Sequence, residues 1–196
     1  MNKYVEGREI GEIWGLQTIG IAKSEEEMQA HLSSLPKGGQ EAIGSKWSAG
    51  DIMYRDLNGD GKISKGASTL DDHGDLKVIG NSTPRYFFGI DLNADWKGFD
   101  VRLFFQGVMK RDYWGKDNFC GYLFGARGDK DMWHARGLVE HQDYFRAQAI
   151  GIDGHELPAN LDAYYPRPVF KEGAKNQETQ SRYLQDASYI LSLIHI

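Results

Sequence analysis

Apolar and polar residues alternate between positions 85 and 110, on either side of Lys97 and Gly98. A period of two is typical of β-strands, because successive side chains of a strand point to opposite faces. The pattern predicts an antiparallel hairpin in which residues 85–96 pair with residues 99–110. One outer face of this hairpin would carry six apolar side chains: Phe88, Ile90, Leu92, Val101, Leu103 and Phe105.

The other face of the hairpin is mostly polar and carries acids, one arginine and two amides: Asp91, Asp95, Asp100, Arg102, Asn93 and Gln106. In a soluble β-sandwich, the apolar face would form the core and the polar face would meet water. In a transmembrane β-barrel, the apolar face would meet lipid and the polar face would line the lumen. Each strand has about the 9–11 residues that cross a membrane at a tilt. Tyr86 and Trp96 lie near the strand ends, where aromatic girdles form. The periodicity fits both all-β folds.

The rest of the chain shows weaker patterns. Residues 8–22 combine glycines with β-branched residues and predict a strand with bends. Ser24 and Glu27 form a capping box, which predicts a short helix over residues 25–35. The apolar face of this helix is narrow, so we expect it on the surface. Five regions follow from these patterns: strand and loop with the helix (1–46), a calcium-like loop (47–80), the hairpin (85–110), a long loop without sustained period (111–182) and the start of another strand (183–190).

Composition narrows the classes of protein to which the chain can belong. Its 196 residues suffice for one ordinary domain. The net charge of -5, without a basic stripe, argues against a nucleic-acid partner. No apolar run reaches the ~20 residues of a transmembrane helix. Cys120 is the only cysteine, so we expect neither an internal disulfide nor a cysteine-based zinc site. Met1 is not followed by a basic and then apolar segment, so any export signal is expected upstream.

Residues 56–63 have the D-x-N-x-D-G spacing of a calcium loop. The side-chain oxygens of Asp56, Asn58 and Asp60 recur at every second residue, and the carbonyl of Lys62 would add a backbone ligand. Gly61 stands where the chain must turn sharply around the ion. The acid that usually closes a twelve-residue loop is missing, because Ala67 occupies its place. An Asx-rich turn without metal is the alternative.

Several motifs follow one another in a fixed order: GDIMYRDLNGDGKI (50–63), VIGNSTPRY (78–86), WKGFD (96–100) and FFQGV (104–108). In this order they resemble the SusC/RagA family, the TonB-linked outer-membrane transporters of Bacteroidetes-type bacteria. The resemblance covers most of the chain, with residues 111–182 as the variable part.

The resemblance implies an all-β fold that is part of a transmembrane antiparallel β-barrel, with long extracellular loops and one or two short helices. The chain would be a fragment from the C-terminal part of that barrel, and residues 85–110 would cross the outer membrane. Residues 191–196 depart from the family pattern. This departure predicts that the chain is truncated there and that these six residues carry no function. An insertion at 65–74 would move the closing calcium ligand to Asp75, with Asp72 as the second choice.

The function implied by the resemblance is uptake of a large nutrient, a glycan oligosaccharide or a peptide, with no catalytic residues. The partners would be the lipid bilayer, a SusD-like surface lipoprotein and the TonB complex, and calcium would be a structural cofactor. The competing hypothesis is a soluble calcium-binding β-domain, such as a secreted carbohydrate-binding module. A secreted glycoside hydrolase is a third hypothesis. Such an enzyme needs two carboxylates in contrasting environments, and the sequence supplies no such pair.

Overall fold

The computed structural model describes residues 7–115, 139–152, 154–169 and 173–195. These residues form one α-helix, α1 (Glu25–Ser33), three short 3-10 turns (Val139–Gln142, Gly173–Asn176 and Ser181–Tyr183) and eleven strands. The strands in chain order are β1 (Glu12–Leu16), β2 (Thr18–Ile21), β3 (Ile52–Tyr54), β4 (Leu76–Asn81), β5 (Tyr86–Trp96), β6 (Phe99–Met109), β7 (Asp112–Tyr113), β8 (Ile150–Ile152), β9 (His155–Leu157), β10 (Gln185–Asp186) and β11 (Tyr189–His195).

The predicted hairpin is present as β5 and β6, which pair antiparallel without interruption from Tyr86 opposite Met109 to Trp96 opposite Phe99. Residues directly opposite one another in an antiparallel pair share a face. Leu92 lies opposite Leu103, and the same register places all six predicted apolar side chains on one face. The predicted pairing and the predicted face are therefore confirmed.

Strand β11 pairs antiparallel with β6 and completes a three-stranded sheet of order β11-β6-β5. We call this unit the three-stranded sheet. Many of its apolar side chains are exposed, and Leu92, on the apolar face, is 52% exposed. The remaining sheets among the described residues have two strands each, and none of the five closes into a barrel. The described part of the chain is thus a mainly β structure with one helix, which fits the predicted fragment of an all-β protein.

A compact core lies beside one end of the three-stranded sheet, and we call this packed unit the head (the described residues of 7–82 and 139–186). The loop predicted over residues 111–182 contributes buried side chains to it, so that region is more than a surface loop. The buried apolar residues of the head are Leu16, Ile21, Ala22, Met28, Leu35, Trp47, Ile52, Met53, Tyr54, Ile63, Phe145, Ala163, Tyr165 and Tyr183.

Helix α1 begins where the capping box predicts, because the Ser24 hydroxyl accepts a hydrogen bond from the Glu27 amide at 3.2 Å. The helix ends at Ser33, two residues before the predicted end. The prediction of a surface position was wrong in part, since Met28 is fully buried in the head core and Leu35 is buried just beyond the helix. A narrow apolar face was sufficient here because only one side of the short helix packs.

The head joins the three-stranded sheet through a small junction. Strand β7 continues from β6 and pairs with β10, which leads into β11. The Asp112 carboxylate accepts a hydrogen bond from the Asn81 amide at 2.9 Å, which fixes the end of β4 to β7. Within the described residues, no helix has the length and apolar character needed to span a bilayer.

Candidate functional site

The predicted calcium loop folds as a series of Asx turns. Asp56 accepts hydrogen bonds from the amides of Gly59 at 2.7 Å and Gly61 at 2.9 Å. Asn58 accepts from the Asp60 amide at 2.9 Å, and Asp60 accepts from the Lys62 amide at 3.1 Å. Gly61 has a φ of 81°, a left-handed conformation that favours glycine. The side chains of the three predicted ligands therefore all accept hydrogen bonds from backbone amides of the same loop.

Asp75 reaches this loop from outside it. Its carboxylate accepts hydrogen bonds from the amides of Leu57 and Ser64, both at 2.8 Å, and thereby joins the two ends of the loop. Asp75 is fully buried. Asp72, the second choice, instead accepts from the Ala67 amide at 3.1 Å in the inserted segment. Of the two candidate closing acids, the structure brings Asp75 against the loop ends.

Burial raises the pKa of Asp75, and the nearby charge of Asp56 raises it further, although backbone hydrogen bonds from Ser64, Leu57 and Asn58 oppose the rise. A cation beside Asp75 would favour its ionised carboxylate and so oppose this rise. The described residues contain no group of three or more His, Cys, Asp or Glu side chains arranged to hold a metal ion. Calcium binding, which also needs Asn58 and the Lys62 carbonyl, stays a prediction.

The two faces of the β5–β6 hairpin differ in chemistry as well as in hydropathy. On the polar face, Arg102 donates from Nε to Asp91 at 3.1 Å, and its Nη2 forms a second contact with the same carboxylate. On the apolar face, each end carries an aromatic ring beside a lysine. The Lys97 ammonium lies 4.9 Å from the centre of the Trp96 ring, and that of Lys110 lies 5.8 Å from the centre of the Tyr86 ring.

A buried polar cluster in the head was missed by the sequence analysis. Asp51 is fully buried and accepts hydrogen bonds from Lys175 at 2.8 Å, from Asn176 at 3.0 Å and from Arg167 at 3.0 and 3.1 Å. Burial alone would raise the pKa of Asp51, but these three partners outweigh it and hold the pKa below its ordinary value. The partners lie 116 to 125 positions away in the chain, so local spacing gave no signal of them.

Cys120 lies outside the described residues, so its environment does not enter this account.

The chain is similar to a segment of a much longer protein. It is 26% identical over 188 residues to TonB-dependent receptor P3 of Formosa agariphila, in an alignment that covers 94% of this chain and 14% of that receptor. No family model matches the chain, and no solved structure matches it. The chain is thus distantly similar to one part of a TonB-dependent receptor.

Proposed function

We propose that the chain is part of the barrel of a SusC/RagA-type TonB-dependent transporter in the bacterial outer membrane, and that β5 and β6 cross the membrane. The observation that carries this proposal is the hairpin itself. Its strands have 11 residues each. Its apolar face opposes a mostly polar face of acids, amides and one arginine, which also carries Phe87 and Phe104. A barrel strand that faces lipid on one side and a water-filled lumen on the other needs one apolar face and one polar face.

The dimensions of the hairpin support the proposal. At roughly 3.3 Å per residue, an 11-residue strand spans about 33 Å, or about 25 Å along the membrane normal at a tilt of about 40°. That height is close to the apolar band of outer-membrane barrels. Trp96 and Tyr86 then lie near the two interfaces, and Lys97 and Lys110 extend toward the polar headgroups.

The connections at the two ends of the hairpin support an orientation. Residues 97 and 98 join β5 to β6 in a two-residue turn, whereas the head is attached at the opposite end. Barrels of the outer membrane have short periplasmic turns and long extracellular loops. In the proposed orientation, the head lies outside the cell at the mouth of the barrel.

The whole protein would take up a large nutrient, and we propose a glycan oligosaccharide as its class. A SusD-like lipoprotein would cover the substrate at the cell surface, and the TonB complex would supply energy from the inner membrane. This segment would contribute barrel wall, head and substrate or partner contacts. These statements rest on the motif order of residues 50–108 and on the similarity to a TonB-dependent receptor.

We further propose that Asp56, Asn58, Asp60, Asp75 and the Lys62 carbonyl hold a structural calcium ion. Calcium prefers six to eight oxygen ligands on a flexible loop. Asp75 accepts hydrogen bonds from the amides of Leu57 and Ser64 and so lies against both ends of the loop, which supports it as the closing ligand. The ion would stiffen the head without taking part in a chemical step.

The membrane-crossing role is tested by arginine substitutions on opposite faces of β6 in the full-length protein. Leu103→Arg places a charge on the apolar face near mid-strand, and it should destabilise the assembled protein by about 2–4 kcal/mol. Gln106→Arg is the matched control, because the same side chain enters the polar face of the same strand. Assembly is measured as the heat-modifiable, protease-resistant form in outer-membrane fractions.

The proposal predicts loss of the assembled form for Leu103→Arg and near-normal assembly for Gln106→Arg. Equal assembly of both variants would contradict a lipid-facing apolar surface. Recovery of the unmodified full-length protein as a soluble monomer without detergent would instead favour a secreted calcium-binding β-domain.

A further inference from the structure

One continuous segment connects the buried centre of the head to the edge of the three-stranded sheet. We call residues 173–187, which are the C-terminal part of the head and the one residue after it, the strap. It contains the 3-10 turns Gly173–Asn176 and Ser181–Tyr183, then β10, and it leads directly into β11. Because so few residues separate its two ends, any movement of the head relative to β11 must stretch, bend or release the strap.

Buried charges hold the head end of the strap. The Lys175 side chain is 1% exposed, and its ammonium donates to the carbonyls of Ser45 at 3.0 Å and Lys46 at 2.8 Å and to the Asp51 carboxylate at 2.8 Å. The ammonium also lies 4.7 Å from the centre of the Trp47 ring. All of its donor capacity is thus used inside the head, and removing the carboxylate would leave a buried charge without compensation.

Further along the strap, polar contacts continue at short intervals. Asn176 donates to Asp51 at 3.0 Å and accepts from the Ile52 amide at 3.1 Å. The Thr179 carbonyl accepts from the Leu16 amide at 2.8 Å. Gln180 accepts from the Thr18 hydroxyl at 2.8 Å. These contacts attach the strap to β1, β2 and β3 at once.

The other end of the strap is attached to the sheet. Strand β10 pairs with β7, and the Ala187 amide donates to the Arg111 carbonyl at 2.8 Å. Tyr189, at the start of β11, lies opposite Val108 of β6. The last strap residues are therefore in register with the sheet, while its first residues are fixed in the head.

We propose that the strap is a clamp that makes the head and the three-stranded sheet move as one body, and that Asp51 closes this clamp by holding Lys175 and Asn176. Asp51 is a positioning residue in this proposal, since it acts through the strap. The proposal concerns the junction alone and holds whether or not the sheet crosses a membrane.

The test uses Asp51→Asn in the full-length protein, with Asp162→Asn as a control of equal charge change. Asp162 pairs with Lys23 on the surface of the head. Breaking a buried pair leaves one charge buried without compensation, so amide hydrogen exchange over residues 173–187 should become about a hundredfold faster in Asp51→Asn. Exchange within α1 should stay unchanged, and Asp162→Asn should match the unmodified protein throughout.

A distance measurement distinguishes a clamp from a merely stabilising contact. Spin labels on Glu41 of the head and Lys97 of the hairpin turn report the head-to-sheet distance by pulsed EPR. The distance distribution should be narrow in the unmodified protein and broad in Asp51→Asn. Faster exchange with an unchanged distribution would overturn the clamp, and so would faster exchange spread equally over the whole head.

A milder variant keeps the test decisive if Asp51→Asn does not fold. Thr18→Val removes the hydroxyl that donates to Gln180 without changing any charge. It should accelerate exchange over the strap by a smaller factor and broaden the same distance distribution. An unchanged exchange rate over the strap in Thr18→Val would count against the proposal.

Discussion

Asp51 and Asp75 are both fully buried carboxyl groups, yet their pKa values move in opposite directions. The side chains of Lys175, Arg167 and Asn176 donate hydrogen bonds to Asp51, so its ionised form is favoured in the folded state. Its contribution to stability is present above the ordinary aspartate pKa of about 4 and is lost as the pH falls below it. Burial, with a smaller effect of the nearby Asp56, raises the pKa of Asp75, so its contribution is present below about pH 4 and is lost as the pH rises through the raised pKa.

At the residue scale, the calcium proposal predicts a pH-dependent affinity. Protons compete with calcium for Asp75, so affinity should fall as the pH drops toward its raised pKa, and binding in that range should release protons. Isothermal titration calorimetry of the full-length protein in two buffers of different ionisation enthalpy measures both effects.

Asp60→Ala should abolish this binding heat, whereas Asp72→Ala should retain it, because Asp72 lies in a separate turn. If the unmodified protein shows no calcium heat that Asp60→Ala removes, residues 56–63 are a turn without a metal.

Among the elements, the β5–β6 hairpin depends on its two-residue turn. Lys97 has a φ of 49° and Gly98 a φ of 88°. Positive φ at both central residues is what a type I′ turn requires, and the twist of this turn matches that of the paired strands. Lysine is an uncommon residue in this conformation, while glycine adopts it freely.

The conformation of this turn determines how substitutions at its two central residues change stability. Gly98→Ala should destabilise the full-length protein by about 1 kcal/mol, because a side chain is strained at positive φ. Lys97→Asn should stabilise it, since asparagine tolerates the left-handed conformation. Denaturant titration of the detergent-solubilised protein measures both changes.

Gly20→Ala provides the control, because a Cβ there meets nothing within 4 Å and its φ is not positive. A loss in Gly20→Ala as large as that in Gly98→Ala would show that the turn conformation is not the cause.

The elements that the sequence predicted well are those with local causes. The hairpin was predicted from the period of two in its hydrophobic pattern. The start of α1 was predicted from Ser24, which caps the helix. The core of the head was not predicted, because its contacts join segments that are far apart in the sequence. Lys175 and Asp51 lie 124 positions apart, and Tyr165 is buried although no periodic pattern surrounds it. Asp75 was predicted as a calcium ligand from the family resemblance, not from the spacing of residues 56–63.

On the scale of the whole molecule, a compact head stands at one end of an exposed three-stranded sheet. The head has its own buried core, whereas Trp96 and Phe99 at the far end of the sheet are each 68% exposed. Exposed apolar surface of this extent indicates a surface that another phase or molecule covers. In the proposed barrel, a lipid bilayer would cover one face and leave the other to a watery lumen, and this would account for the difference between the two faces of β6.

Residue-by-residue lipid accessibility of β6 tests this account most directly. Single cysteines at positions 99–109 of the full-length protein, otherwise free of cysteine, are spin-labelled in lipid bilayers, and their collision rates with oxygen and with a water-soluble nickel complex are compared. If β6 crosses the membrane, accessibility should alternate with a period of two: Val101, Leu103 and Phe105 should be accessible to oxygen, and Arg102 and Gln106 to nickel. Nickel accessibility along both faces, or no alternation at all, would contradict the claim that this strand crosses a membrane.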